Sequence, residues 1–303
     1  MKIRIFILST VLAALVAGLP LLTLALRLEG EGQYNLAKLA RAAVDAIGRQ
    51  AAYQRAQQVD DRSLVEALQE VVAQLSRCDV GQGLIIALQR GANALAEGRI
   101  PTISETPHPY VCRTCGHIVF GEATEKCLTC GAWPDTFQWF APIYWLEALD
   151  PPAALVKLRQ TPLEVAALLN GLPEQALTQP AQDGGWAVRN ILAHLRDAQG
   201  VLDFRLDLFA KEEHPLLESQ AVFSWATREE EKPPTALEIF ASYTAGREKI
   251  LARLDELPYQ AWQRTGFHDE FGSVSIQQQV SYFACHELTH LPQLERLRQQ
   301  IMD

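Results

Sequence analysis

The sequence has no cluster of lysine or arginine residues. Its 27 basic residues are outnumbered by 36 acidic ones, so the net charge at pH 7 is −9 and the isoelectric point lies near 5.3. A protein that binds nucleic acid needs a basic patch, because neutralising phosphates supplies much of that affinity. Nucleic acid is therefore not an expected partner.

Acidic residues are also scarce after the most distinctive motif of the chain, His286-Glu287-Leu288-Thr289-His290. Its pattern, H-E-x-x-H, is the zinc-peptidase signature. Such a peptidase needs a third metal ligand, usually a Glu or His well downstream, and only Glu295 and Asp303 are acidic beyond His290. Glu295 would be rotated away from the histidine pair on a helix. A zinc metallopeptidase is thus the least favoured of three functions, and the third ligand is expected upstream.

The two histidines of this motif are predicted to share one face of a helix. Ser275 and Gln278 form a capping box before an apolar stripe that includes Ile276, Val280, Phe283, Leu294, Leu297 and Ile301. Positions i and i+4 are only about 40° apart, with Cβ atoms about 6 Å apart, so both rings can reach one ion. The alternative is a pair of core histidines satisfied by carbonyls. Pro292 argues against an undistorted continuation of the helix.

Three further helices are predicted upstream. Residues 186–211 form an amphipathic pattern with His194 on the apolar side, where it becomes the candidate third ligand beside the histidine pair. Capping boxes at Thr161-Pro162-Leu163-Glu164 and Thr235-Ala236-Leu237-Glu238 open the other two helices. Four helices with short to medium connections predict a bundle. Residues 266–272 are expected to be a connecting loop, with His268 exposed to solvent; the alternative is that His268 lines a substrate pocket.

Residues 155–301 resemble a DinB-like (DinB/YfiT) four-helix domain. The resemblance rests on residues 185–195, Gly-Trp-Ala-Val-Arg-Asn-Ile-Leu-Ala-His-Leu, and on the final His-acid-x-x-His-Leu helix. It implies that His194, His286 and His290 bind a divalent metal, zinc, nickel or a similar ion, with one coordination position open. Some members resemble thiol-dependent S-transferases or isomerases, which implies a small-molecule substrate and a low-molecular-weight thiol. Pro292 stands where a small residue such as glycine is common.

The first functional expectation is a metal-dependent enzyme, a hydrolase or S-transferase. An ion held by three histidines would lower the pKa of a bound water or thiol and make it a nucleophile at neutral pH. Glu287 follows a ligand and is the candidate catalytic base. At i+1 it points about 100° away from His286, so an orienting or surface role is equally open.

Four of the six cysteines form a second motif, C-x2-C-x11-C-x2-C, at Cys112, Cys115, Cys127 and Cys130. This spacing is typical of a tetrahedral four-cysteine metal site; two disulfides are the alternative. A glycine after each pair permits a positive φ, so that backbone N–H groups can point at the sulfurs. The aromatic residues expected to shield the site are Tyr110, Phe120, Trp133 and Phe137.

Residues 110–137 resemble the rubredoxin-like domain that ends rubrerythrins, with Leu128 where that family usually has proline. The resemblance implies iron, single-electron transfer and a redox partner. Zinc uses the same ligands and would make the module a structural one. A rubrerythrin also carries a di-iron bundle before this module, built partly from histidines. Residues 34–100 contain no histidine, so a di-iron oxidase is not expected there and the region is predicted to be helical scaffold or partner surface.

The stretch Ile5 to Leu26 is uncharged, mostly apolar and long enough to span a bilayer. A cleaved signal peptide and a buried helix kinked by Pro20 are the alternatives. A single membrane anchor is favoured, with the metal domains in the cytoplasm because a reduced four-thiolate site suits that compartment; a soluble cytoplasmic protein is the alternative. The second functional expectation is accordingly a non-catalytic, membrane-tethered electron-transfer or metal-binding protein.

The predicted fold class is mainly α. The expected organisation is an anchor or signal segment in residues 1–30, a helical region in 31–104, a rubredoxin-like four-cysteine module in 105–142 and a DinB-like four-helix bundle in 152–303.

Overall fold

The computed structural model describes residues 18–56, 62–78, 80–121, 124–142, 148–182, 184–219 and 234–302. Its first part is helical, as the spacing of apolar residues predicts. Residues 18–30 form helix α1, which is followed by α2 (Tyr34–Ala56), α3 (Leu64–Leu75) and α4 (Gln82–Ala96). Helix α3 begins at a capping box in which Ser63 and Glu66 bond to each other's backbone N–H groups.

Within the described ranges, no helix is long and apolar enough to cross a membrane. Much of the predicted span, Ile5 to Leu26, lies outside those ranges, which begin at residue 18. The described end of that stretch, residues 18–26, belongs to α1.

The four-cysteine module is built on a small antiparallel sheet in the order β2-β1-β3, formed by β1 (Pro109–Cys112), β2 (Ile118–Phe120) and β3 (Phe137–Trp139). Phe137 is buried and Tyr110 packs against it, as predicted. The expectation for Trp133 was wrong: its side chain is 68% exposed and lies under the ammonium of Lys126. Tyr110 and Phe137 therefore pack with the buried cysteines Cys112 and Cys127, and Trp133 does not.

The C-terminal part contains α5 (Pro151–Leu169), the short α6 (Glu174–Leu177), α7 (Val188–Lys211), α8 (Ala236–Asp255), α9 (Ile276–Leu288) and α10 (Leu291–Met302). Helix α7 packs along α8, and α9 packs against α5 and α7. The predicted capping boxes that open α8 and α9 are both present. Buried aliphatic and aromatic side chains of these helices fill the core between them.

The predicted capping box at Thr161 was wrong. Helix α5 begins eleven residues earlier, where the Asp150 side chain accepts from the backbone N–H of Ala153, and the helix continues through Pro162. The Thr161 hydroxyl donates instead to the carbonyl of Lys157, at 2.9 Å. Pro162 has no N–H for the carbonyl of Leu158, four residues back, and that carbonyl accepts a hydrogen bond from a buried arginine side chain described below.

The segment predicted to be a loop at residues 266–272 is largely a hairpin. Strand β5 (Thr265–His268) pairs antiparallel with β6 (Gly272–Ser275), and the two-residue β4 (Leu216–Leu217) adds to β5 in parallel. His268 is buried rather than exposed, with 2% of its surface accessible. Its Nε2 lies 2.9 Å from a guanidinium nitrogen of Arg205. Burial, followed by the charge of Arg205, lowers the pKa of His268 to about 4.

The final helix is broken at the H-E-x-x-H motif, as Pro292 predicts. Helix α9 ends at Leu288 and α10 begins at Leu291, so His290 sits in the break. Pro292 occupies the first turn of α10, where a backbone N–H would have no partner within the helix in any case. The break leaves His290 four residues beyond His286, between the two helices.

Candidate functional site

Three histidine side chains from separate parts of the bundle converge on one point. His194 comes from α7, His286 from the last turn of α9, and His290 from the break before α10. The Nε2 atom of His286 lies 3.1 Å from that of His194 and 3.3 Å from that of His290. A tetrahedral ion about 2.1 Å from each nitrogen would hold such atoms about 3.4 Å apart. The sequence-predicted set is therefore brought together with the spacing of a metal site.

The surroundings of His194 and His286 favour the neutral form of their rings. Burial, with the neighbouring imidazoles second, lowers the pKa of His286 to about 4. Burial also lowers the pKa of His194, and the charge of His290 adds to that effect. A neutral imidazole with a free lone pair is the form that binds metal. The lowered pKa values of His194 and His286 thus favour the form of these two rings that binds metal.

The hydrogen bonds of the cluster do not fit the alternative of core histidines satisfied by carbonyls. The Nε2 atoms of all three rings face one another. The Nδ1 atom of His286 is buried without a hydrogen-bond partner in the described part of the chain. Three ring nitrogens that need a common partner favour a shared cation.

Gln293 fixes the orientation of His290 and was not identified from the sequence. Its side-chain oxygen lies 2.9 Å from Nδ1 of His290. Because an amide oxygen only accepts, Nδ1 must carry the proton, which leaves the lone pair of Nε2 directed at the cluster. The sequence feature that could have identified Gln293 is its position three residues after the candidate ligand His290.

Trp186 covers one side of the cluster. Its indole stacks on His290 with 12° between the ring planes and tilts over His194 at a centroid distance of 5.2 Å. About half of the Trp186 side chain remains exposed. It borders an open cleft of about 350 Å³, whose lining consists of Ala181, Gly185, Trp186, Ile191, His290, Gln293, Arg296, Leu297 and Gln300. The cleft gives a small molecule access to the edge of the histidine cluster.

The structure places Glu287 in the core of the bundle, away from solvent. It is 1% exposed, and its two carboxylate oxygens accept from Arg247 and from the hydroxyl of Tyr243. This burial excludes the surface role for Glu287 and leaves the orienting role open. Burial raises the pKa of Glu287, and the guanidinium of Arg247 opposes that rise.

Arg247 ties the four long helices of the bundle together. Its Nε donates to the side-chain oxygen of Gln199 on α7 at 2.7 Å, and its Nη1 donates to the carbonyl of Leu158 on α5 at 2.8 Å. Its Nη2 bonds to Glu287 on α9, while Arg247 itself belongs to α8. The carbonyl freed by Pro162 is the one it uses on α5. We call these residues, with Tyr243, the Arg247 network; sequence reasoning did not find it.

The four cysteines form a second convergent set. The sulfurs of Cys112 and Cys130 are 3.8 Å apart and those of Cys115 and Cys127 are 3.6 Å apart. Tetrahedral coordination with bonds of about 2.3 Å requires sulfurs about 3.8 Å apart, whereas a disulfide requires about 2.05 Å. The geometry matches the predicted metal site and not the alternative of two disulfides.

The two knuckles have the backbone that the sequence predicts. Gly116 and Gly131 adopt φ values of +80° and +73°. Burial opposes ionisation of Cys112, but the backbone N–H groups of Cys115 and Thr114 bond to its sulfur, and its pKa falls to about 6. Thiolate is the form that binds metal. Burial raises the pKa of Cys115, so the backbone favours the thiolate at Cys112 and not at all four sulfurs.

Comparison with known proteins identifies the bundle. Residues 157–294 match the family model described as the DinB superfamily. A candidate metal-dependent hydrolase of Oceanobacillus iheyensis is 28% identical over 126 residues, which cover 42% of this chain and 73% of that protein. Another candidate metal-dependent hydrolase, from Bacillus mycoides, is 22% identical over 145 residues, which cover 48% and 83%.

Among solved structures, the chain is similar to YfiT from Bacillus subtilis, which is described as a candidate metal-dependent hydrolase with an unusual four-helix bundle topology. The sequence identity is 20% and the TM-score is 0.46, over 54% of this chain and 94% of that one. On the family match, residues 157–294 of this chain are a DinB-like domain.

Proposed function

We propose that the DinB-like domain is a metal-dependent enzyme whose ion is held by His194, His286 and His290. The observation that carries the proposal is the convergence of three Nε2 atoms, two pairs of them at 3.1 and 3.3 Å, on one point beside an open cleft. The relatives named as candidate metal-dependent hydrolases support a hydrolytic reaction for this chain. A divalent ion with an open position would supply a water or thiol of lowered pKa as the nucleophile.

The side chains around the site have distinct parts in this proposal. Gln293 holds the His290 ring in the tautomer that presents Nε2, and Trp186 limits the approach of solvent from the cleft side. Glu287 acts as an orienting residue, because both of its oxygens are engaged by the Arg247 network and it anchors the helix that carries His286. The cleft admits a small-molecule substrate. A low-molecular-weight thiol is the proposed nucleophile of an S-transferase or isomerase variant of this reaction.

Metal quantification on the purified full chain tests the proposal. The wild type should contain two ions per chain, the His286→Ala variant should lose the bundle ion only, and the Cys112→Ser variant should lose the other only. His194→Ala should behave as His286→Ala does, while Glu295→Ala serves as the control, because Glu295 is exposed and outside the cluster. Unchanged metal content in His286→Ala would sink the three-histidine proposal.

A second function is favoured by the exposure of the cysteine module. Cys115 and Cys130 are exposed, whereas Cys112 and Cys127 are buried. Two accessible sulfurs would let an iron in a rubredoxin-like module exchange single electrons with a redox partner at the surface. A red purified protein that dithionite bleaches would support electron transfer. A colourless protein containing zinc at this site would make the module structural.

A further inference from the structure

We propose that the cleft beside the three-histidine cluster contains an anion subsite centred on Arg296, so that the substrate is a small molecule with a carboxylate or phosphate end. The inference rests on the proposed function, because the same cleft leads to His290. It adds the chemical class of the molecule that the site accepts.

The lining of the cleft favours an anion. The chain has 36 acidic residues against 27 basic ones, yet the described side chains that line the cleft include no acidic residue and one arginine, Arg296. The guanidinium of Arg296 makes no hydrogen bond or ion pair with any residue that the structure describes. By contrast Arg298, two residues on, donates to the carbonyls of Leu168 and Asn170. Arg296 is thus available to a ligand.

Two side-chain amides near Arg296, those of Gln293 and Gln300, offer further hydrogen-bond donors. The side-chain oxygen of Gln293 is engaged by His290 at 2.9 Å, which leaves its NH₂ group as a donor. The side-chain oxygen of Gln300 faces the backbone N–H of Gln182 at 3.5 Å, which again leaves an NH₂ group. Gln293, Arg296 and Gln300 lie on the same side of α10 at spacings of three and four residues. The three donors together favour an oxyanion.

The cleft also has an apolar wall. Trp186, Ile191 and Leu297 line the same cleft, and Trp186 is half exposed while stacked on His290. A flat or apolar part of the ligand can lie against the indole between the anion subsite and the histidine cluster. The arrangement fits an organic anion better than an inorganic one.

The test measures binding of phenylacetate, its neutral amide phenylacetamide, and benzylphosphonate to the full chain by calorimetry, with and without added zinc. The expected result is that phenylacetate binds up to about fivefold more tightly than the amide, as a charge-assisted contact at an exposed arginine gives. Arg296→Gln should abolish this preference. Arg49→Gln, the same change at an exposed arginine of α2, should leave it intact.

The outcomes separate the subsite from the metal site. A preference for the acid that survives in Arg296→Gln, or equal or undetectable binding of all three probes, overturns the subsite. Tighter binding of benzylphosphonate than of phenylacetate, with the same dependence on Arg296, supports the subsite and assigns it to phosphate. Metal content is measured on the same samples, and a chain that binds no metal at His286 yet prefers the acid contradicts the proposed function and not the subsite.

Discussion

Replacing Glu287 by glutamine should destabilise the DinB-like domain by about 3 kcal/mol. The Glu287 and Arg247 side chains are only 1% and 3% exposed. Glu287 is the carboxylate that Arg247 contacts within the described structure, so the substitution leaves a buried guanidinium without its anion. Breaking a buried pair in this way costs about 3–5 kcal/mol. The lower figure applies because glutamine keeps the shape and can still accept from Tyr243.

The assay is thermal unfolding of the full chain, followed by the helical circular dichroism signal and by hydrogen exchange of the α9 amides. A loss of 3 kcal/mol corresponds to a fall in Tm of about 10 °C for a domain of this size. Glu248→Gln, at the exposed position beside Arg247, is the matched control and should shift Tm by no more than about 2 °C. A shift in Glu287→Gln as small as that of the control would refute the reasoning, because it would mean that Glu287 is protonated in the folded state.

Three further predictions concern pH, metal affinity and packing. The His268 ring is neutral in folded and unfolded chains above its ordinary pKa of 6.5; between pH 6.5 and about 4 only the unfolded chain gains the proton. The free energy of unfolding should therefore fall by about 3 kcal/mol as the pH falls through this window, and His268→Gln, measured by urea unfolding, should remove that part of the slope. Gln293→Ala should weaken zinc binding about tenfold in competition with a chelator, since the His290 tautomer is no longer held; unchanged affinity would contradict that role. Gly246→Ala should lower the free energy of unfolding by about 1–3 kcal/mol, because its Cβ would lie 2.5 Å from the side-chain nitrogen of Gln199 in the Arg247 network. Gly48→Ala, with open space around it, is the control and should raise the free energy of unfolding by up to about 1 kcal/mol.

The parts of the fold that follow local rules could be predicted from the sequence. The boxes at Thr235 and Ser275 start helices because each side chain bonds within three residues of itself. The cysteine knuckles follow from spacing and from the two glycines with positive φ. Prediction of the three-histidine site required one non-local inference, which linked the pair His286 and His290 to His194. The need of a metal ion for a third nitrogen ligand suggested that link.

The local rules failed where a distant group changed the balance. Thr161-Pro162-Leu163-Glu164 has every feature of a helix start, yet α5 continues through it. A proline inside a helix leaves one carbonyl without a donor. Here that carbonyl belongs to Leu158, and Arg247, 89 positions further along the chain, provides the donor from another helix. The sequence predicts an exposed loop position for His268, because its burial depends on the contact with Arg205 and on the β5–β6 hairpin, and no local pattern shows either of them.

The role of Glu287 shows the same limit at the site itself. In H-E-x-x-H the letters fix only that the acid follows a ligand on a helix, and i+1 geometry turns it about 100° from the first histidine. What lies on that next face decides its chemistry. Here the face meets α8, and Arg247 and Tyr243 occupy both carboxylate oxygens. A glutamate held in this way lies in the core of the bundle. The motif alone could not show this, because the arginine that binds it lies 40 positions away in the sequence.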